Sequence, residues 1–141
     1  MAKNSYLELK HRQQREVNDF PMGFAFNDKQ FEAQMIKLGL KPTDTDKIYS
    51  IGYGGFIRKI DADAFGEMMK RHRKQMDKAV AEDIDGTGFI KDMFDYELGN
   101  HEYDYTRDLT DTLDALDLTL DKVNKNPKLL KGLKLALRRY R

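Results

Sequence analysis

The sequence predicts a mainly α fold with a small β element, an α+β chain of five to six helices in one compact domain spanning residues 1–141. Three observations predict it. Apolar residues recur at helical spacing, most regularly at Phe65, Met68, Met69, His72, Met76, Ala79 and Val80. One stretch, YSIGYGGFIRK at 49–59, combines aromatic and β-branched residues with turn glycines, as a strand or hairpin does. At 141 residues the chain fits one domain. A chain of this size buries roughly two-thirds of its unfolded surface, enough for one core with little room for a second.

Along the chain, residues 5–19 read as a polar helix with a thin apolar stripe of Tyr6, Leu9 and Val17 that continues to Phe20. Pro21 stops it, because the residue before proline avoids the α region. The following apolar stretch to Phe26 is a connection or a short strand. Asn27 and Gln30 resemble a capping box. Phe31, Met35 and Leu38 then share a helical face that Gly39 ends. Residues 41–50 are a polar connection. Next comes the glycine-rich hairpin candidate, where Gly52, Gly54 and Gly55 demand unusual backbone. Asp61 is placed to cap the long helix that follows, and Gly86-Thr87-Gly88 breaks it. Phe89, Ile90, Met93, Phe94 and Leu98 form another stripe, ended by Gly99-Asn100. An Asp-rich helix at about 108–117 turns Leu109, Leu113 and Leu116 inward. The chain turns at Leu118-Thr119-Leu120. Asn126 and Pro127 make an N-cap and N1 pair for a last helix with Leu129, Leu130, Leu133, Ala136, Leu137 and Tyr140 on one side.

Charge is segregated along this order. Residues 1–81 carry 15 basic and 11 acidic side chains, residues 82–121 carry 2 and 13, and residues 122–141 carry 8 and none. The net charge of +1 therefore hides an acidic third followed by a basic tail. Such asymmetry points to charged partners, or to the two stretches pairing with each other within the monomer. There is no Cys, which excludes disulfides and thiolate metal sites and fits a reducing compartment. The first residues lack the apolar core of a signal peptide, and no run of about 20 apolar residues could span a bilayer. The expectation is a cytoplasmic protein without membrane partners.

No stretch carries a recognisable catalytic motif, cofactor fingerprint or metal-ligand spacing, so the expectation is a binding protein and not an enzyme, with no cofactor and no metal. Asp83-Ile84-Asp85-Gly86-Thr87-Gly88 resembles the start of a calcium-binding loop. Position twelve, which needs a bidentate Glu, is Phe94, and position nine is Lys91. A capped turn explains it better. Gly52-Tyr53-Gly54-Gly55 near Arg58 and Lys59 is either a hairpin turn or an anion cradle. Asn100-His101-Glu102-Tyr103 offers a His and carboxylates for a metal, a His–Glu pair for acid–base work, or a small-molecule site, and local capping with a buried hydrogen-bond network explains it better. His72, within the basic run 70–74, falls on an apolar face and is expected to pack.

The acidic side chains Glu102, Asp104, Asp108, Asp111, Asp114, Asp117 and Asp121 recur at short intervals, which puts them near one face wherever the chain is helical. A row of carboxylates can imitate phosphates and occupy a basic nucleic-acid-binding groove. These seven are the candidate protein-binding residues. The alternative set, for phosphate contact, is Arg71, Lys74, Lys128, Lys131, Lys134, Arg138 and Arg139.

Four stretches, FPMGFAFNDKQFEAQMIKLGL (20–40), DKIYSIGYGGFIRKIDADAFGEM (46–68), GTGFIKDMFDYELGNHEY (86–103) and DTLDALDLTLDKV (111–123), resemble a family of short uncharacterised proteins from phages and gut bacteria. They cover most of the chain. The resemblance extends to anti-CRISPR proteins that inhibit Cas9. It implies an accessory protein of mobile elements, acting in the host bacterial cytoplasm as a stoichiometric inhibitor that binds the Cas9–guide RNA complex or another host defence protein. The alternative is a small nucleic-acid-binding protein using its basic C-terminal helix.

Overall fold

The computed structural model describes residues 3–141; Met1 and Ala2, which the expected domain includes, lie outside the described residues. In chain order the elements are α1 (Ser5–Asp19), β1 (Gly23–Phe24), α2 (Asp28–Lys37), β2 (Ile48–Gly52), β3 (Gly55–Arg58), α3 (Ala62–Glu82), α4 (Phe89–Asn100), α5 (Tyr103–Thr106), α6 (Thr110–Ala115), α7 (Leu120–Lys125) and α8 (Pro127–Leu137). The protein is mainly helical and of the α+β class. Among the described residues there are eight helices, two more than the upper expectation. The additional ones, α5 and α7, have four and six residues, too few for a periodic apolar pattern to register.

The chain gathers into two compact units: Gln14–Arg73, and the chain up to Gln13 together with Lys74–Arg141. The boundary falls inside α1 and inside α3. Buried side chains form two clusters, where the length argument expects a single core.

In residues 14–73 the three strands form an antiparallel sheet of order β1-β3-β2, with Gly23 opposite Phe56 and Tyr49 opposite Ile57. The Asn27 side chain caps α2, accepting the Gln30 N–H at 2.9 Å. At the other end the Gly39 and Leu40 N–H groups bond the carbonyls of Ile36 and Met35. This is a Schellman ending, with Gly39 in the left-handed region at φ +77°. Met35, Leu38 and Phe56 make the small core, and the Phe31 ring lies 5.2 Å from that of Phe56. Asp61, expected to cap α3, sits instead in a 3-10 turn and accepts the Arg58 Nε–H at 2.7 Å. Met68 and His72 are buried on α3, but Met69 is 37% exposed and leaves the expected stripe. Met68 and His72, four residues apart, define the buried line, and Met69 is rotated about 100° from Met68.

In the other unit α4 is central: Ile90, Met93, Phe94 and Leu98 are at most 2% exposed. Tyr6, Leu113, Val123, Leu129, Leu133 and Ala136 complete the core. Two glycines let α8 approach the loop before α4. A Cβ on Gly132 would meet Ile90 Cγ2 at 2.5 Å, and one on Gly86 would overlap the Lys128 carbonyl oxygen. The Asn126 side chain accepts the N–H groups of Lys128 and Leu129 at 3.0 and 3.3 Å and caps α8, as its place before Pro127 predicts. Among the described residues no helix is long and apolar enough to cross a membrane.

Candidate functional site

The acidic segment is built from short helices anchored by leucines. Leu113 is buried, and Leu109 and Leu116 pack against the same core. Between helices the backbone turns left-handed at Glu102, Arg107 and Asp117, with φ of 56°, 54° and 55°. The carboxylates therefore do not run along one continuous helix; of the seven, only Asp111 and Asp114 share one helix, α6. Asp is a poor former of helix interiors, and it tolerates the left-handed region better than most residues. Arg107 reinforces the break. Its guanidinium lies 5.6 Å from the Tyr103 ring centre and donates to the Tyr140 carbonyl, while Tyr103 and Tyr140 meet edge to face at 5.2 Å.

All seven acidic side chains named from the sequence are exposed. Asp104 pairs with Arg107 at 3.8 Å and Asp121 with Lys125 at 2.9 Å, both within one helical turn of sequence. Among the described residues Asp111 and Asp114 have no ion-pair partner. The Asp108 carboxylate accepts the Thr110 hydroxyl at 2.6 Å and the Thr110 N–H at 2.8 Å, which holds its carboxyl below the usual carboxylate range.

The basic set is divided. Lys128 Nζ donates to the carbonyls of Val80, Ala81 and Asp83 at 3.3, 3.1 and 2.8 Å, closing the C-terminal end of α3, where a cation is favoured. It is committed within the fold. Arg71 binds the Glu16 carboxylate, whose pKa it lowers. Lys74, Lys131, Lys134, Arg138 and Arg139 are exposed. Arg139 lines a shallow concavity of about 340 Å³ with Glu102, Asp104 and Tyr105, so here the basic tail meets the acidic segment.

The remaining constellations resolve into structure. The Asp83 carboxylate accepts the N–H groups of Gly86, Gly88 and Ile90, and Asp85 accepts from Thr87. Both side chains serve as turn and helix caps. The run 52–55 is the hairpin turn, left-handed at Gly52, Tyr53 and Gly54, while Gly55 is regular strand. Arg58 is engaged by Asp61 and the Leu38 carbonyl. Among the described residues no cluster of three or more His, Asp or Glu side chains is placed to hold a metal.

One polar cluster escaped the sequence reading. Glu97 is 1% exposed within the core, its Oε1 3.1 Å from Lys10 Nζ and its Oε2 3.5 Å from His101 Nε2. The carboxylate facing His101 is thus the buried Glu97, not the exposed Glu102, and no hydrogen bond joins Glu97 Oε2 to His101 Nε2. Lys10 Nζ also lies 5.1 Å from the Tyr96 ring centre. Burial, with the Glu97 charge second, pushes the Tyr6 hydroxyl pKa upward. A signal was present in the sequence. Glu97 falls four residues after Met93 and three after Phe94, inside the apolar stripe, where an ionisable group needs a partner.

A family model described as a family of unknown function (DUF7659) matches residues 5–139. No curated protein and no solved structure matches the chain.

Proposed function

The chain belongs to the family of unknown function DUF7659, whose description assigns no activity, and from its charge geometry we propose that the protein is a non-catalytic inhibitor that binds a basic partner surface. The carrying observation is the exposure of Glu102, Asp104, Asp108, Asp111, Asp114, Asp117 and Asp121, with Asp111 and Asp114 left without ion-pair partners among the described residues. Carboxylates displayed in this way suit a surface that otherwise binds phosphates, because the same cations recognise both. The resemblance of residues 20–40, 46–68, 86–103 and 111–123 to short phage and gut-bacterial proteins supports a role as a mobile-element accessory protein. Its target is then a bacterial defence nuclease in the host cytoplasm, first the Cas9–guide RNA complex, blocked at the surface that reads duplex DNA beside the target.

The test is a cleavage assay with Cas9, guide RNA and target DNA across molar ratios of purified protein, paired with size-exclusion chromatography. Loss of cleavage near a stoichiometric ratio, with co-elution, is expected. A variant carrying Asp108→Lys, Asp111→Lys and Asp114→Lys should stay folded and lose inhibition. Full inhibition by that folded variant would remove the acidic face from the mechanism, and undiminished cleavage across several Cas9 orthologues would remove the target.

A second reading, nucleic-acid binding by the basic tail, rests on the exposure of Lys131, Lys134 and Arg138. The commitment of Lys128 to backbone carbonyls and the acidic neighbours of Arg139 both weigh against it. A gel shift at low salt with no retarded species would dismiss it.

A further inference from the structure

We propose that the groove beside the edge strand β1 docks an extended peptide segment of a partner protein, apolar in its middle and carrying a Lys or Arg at one end. The groove lies wholly within residues 14–73, and its lining includes no residue of the acidic segment. It encloses about 500 Å³, lined by the end of α1, the stretch leading into β1 and the last part of α2. That volume falls in the range of about 300–1,000 Å³ typical of binding clefts. Val17, Phe20, Met22, Phe24 and Leu38 supply apolar lining, and Phe24 is 51% exposed.

The backbone selects the occupant. Among the described residues strand β1 pairs with β3 alone, so its other edge faces away from the sheet and lies beside α2. The Ala25 N–H points to the Gly54 carbonyl at 3.0 Å, and the neighbouring Phe24 N–H points the other way. There it meets the Gln34 side-chain oxygen at 3.3 Å, beyond the usual length of such a bond. One turn earlier on α2, Gln30 accepts the Phe26 N–H at 2.8 Å. Two side-chain amides thus stand in for a missing strand, and the weaker of them lines the groove. A peptide carbonyl can take the Phe24 N–H in strand geometry when Gln34 swings aside, as in recognition by strand addition. An apolar small molecule offers that donor nothing.

Charge sets the direction. Helix α1 ends on Asp19 with no basic residue in its last turn, so the negative end of the helix and a carboxylate share the lining. A cation is favoured there. The last turn of α2 carries Lys37, which offsets that helix's own negative end. The basic residue of the peptide therefore sits at the α1 end.

The experiment pans a random heptapeptide display library on the full chain and on Asp19→Lys and Phe24→Glu variants whose folding is checked by circular dichroism. The most enriched peptide is then synthesised with a fluorophore and titrated by anisotropy. Enrichment of extended apolar sequences with one terminal Lys or Arg is expected, with binding at least tenfold weaker on Asp19→Lys and lost on Phe24→Glu. No enrichment, or equal affinity for wild type and both variants, overturns the proposal. Should a variant fail to fold, amide chemical shifts of the wild type decide. Perturbation of Phe24 and the Gln34 side chain supports the site, and perturbation confined to other residues overturns it. Since the groove residues are untouched by Asp108→Lys, Asp111→Lys and Asp114→Lys, peptide binding should survive in that triple variant.

Discussion

At the scale of the residue, position along the chain says little about which charges are free. Asp108 and Asp111 look alike in sequence, yet the first is tied to Thr110 by two hydrogen bonds and the second has no ion-pair partner among the described residues. The donors from Thr110 hold the Asp108 carboxyl below its ordinary value. A carboxyl lowered in the folded state stabilises the fold above its unfolded pKa, and the contribution fades as pH falls through the folded value. Thr110→Val removes the hydroxyl and keeps the N–H. The Asp108 pKa should then rise toward the ordinary carboxylate value, with any loss of stability present at neutral pH and gone in strong acid. A carboxyl-carbon NMR titration reads the shift directly, and an unmoved Asp108 signal would refute the hydroxyl's role. Lys128 teaches the same lesson among cations: its sequence reads as one of a solvated row, and its ammonium closes the end of α3.

At the scale of the element, the regular helices are legible because their stabilisation is local and periodic. The capped starts at Asn27 and Asn126 and the Gly39 ending were all written in residue type. The short helices α5 and α7 were not. Helices of four and six residues have too few turns to be stable alone, and they persist because Tyr103, Val123 and their neighbours pack on the core. The close passage of α8 over the loop before α4 was also hidden, since a glycine in a sequence does not say what it lies against. Gly86, at φ +89° and against the Lys128 carbonyl, tests it. Gly86→Ala should cost about 3 kcal/mol, from strained backbone and steric overlap together. Gly66→Ala, in open space within α3, should instead stabilise by about 0.5–1 kcal/mol. Urea denaturation of the two variants separates them, and equal midpoints would mean that α8 does not pack as described.

At the scale of the whole molecule, a net charge of +1 predicts weak non-specific attraction, while segregation of charge predicts strong directed attraction. If the acidic segment steers association with a basic partner, the association rate should fall at least tenfold between low salt and about 0.5 M salt, where charges are screened within a few ångströms. Dissociation should change less. Stopped-flow or surface-binding kinetics with the Cas9–guide complex measure both. A salt-independent association rate would mean that apolar contacts, not the acidic face, govern encounter.

By itself the sequence determined the helical class, the hairpin, the Asn27 and Asn126 caps, the inward leucines of the acidic segment and the uneven distribution of charge. These follow from periodicity and from local hydrogen-bonding chemistry, both of which act over a few neighbouring residues. Only the tertiary structure decided that buried side chains gather in two clusters and that His101 faces Glu97 rather than Glu102. It also decided that Lys128 is committed to carbonyls 45 to 48 residues away, and that a groove opens beside β1. Each of these depends on which side chains meet across long stretches of chain, and the spacing of residues along the sequence does not encode distance in space.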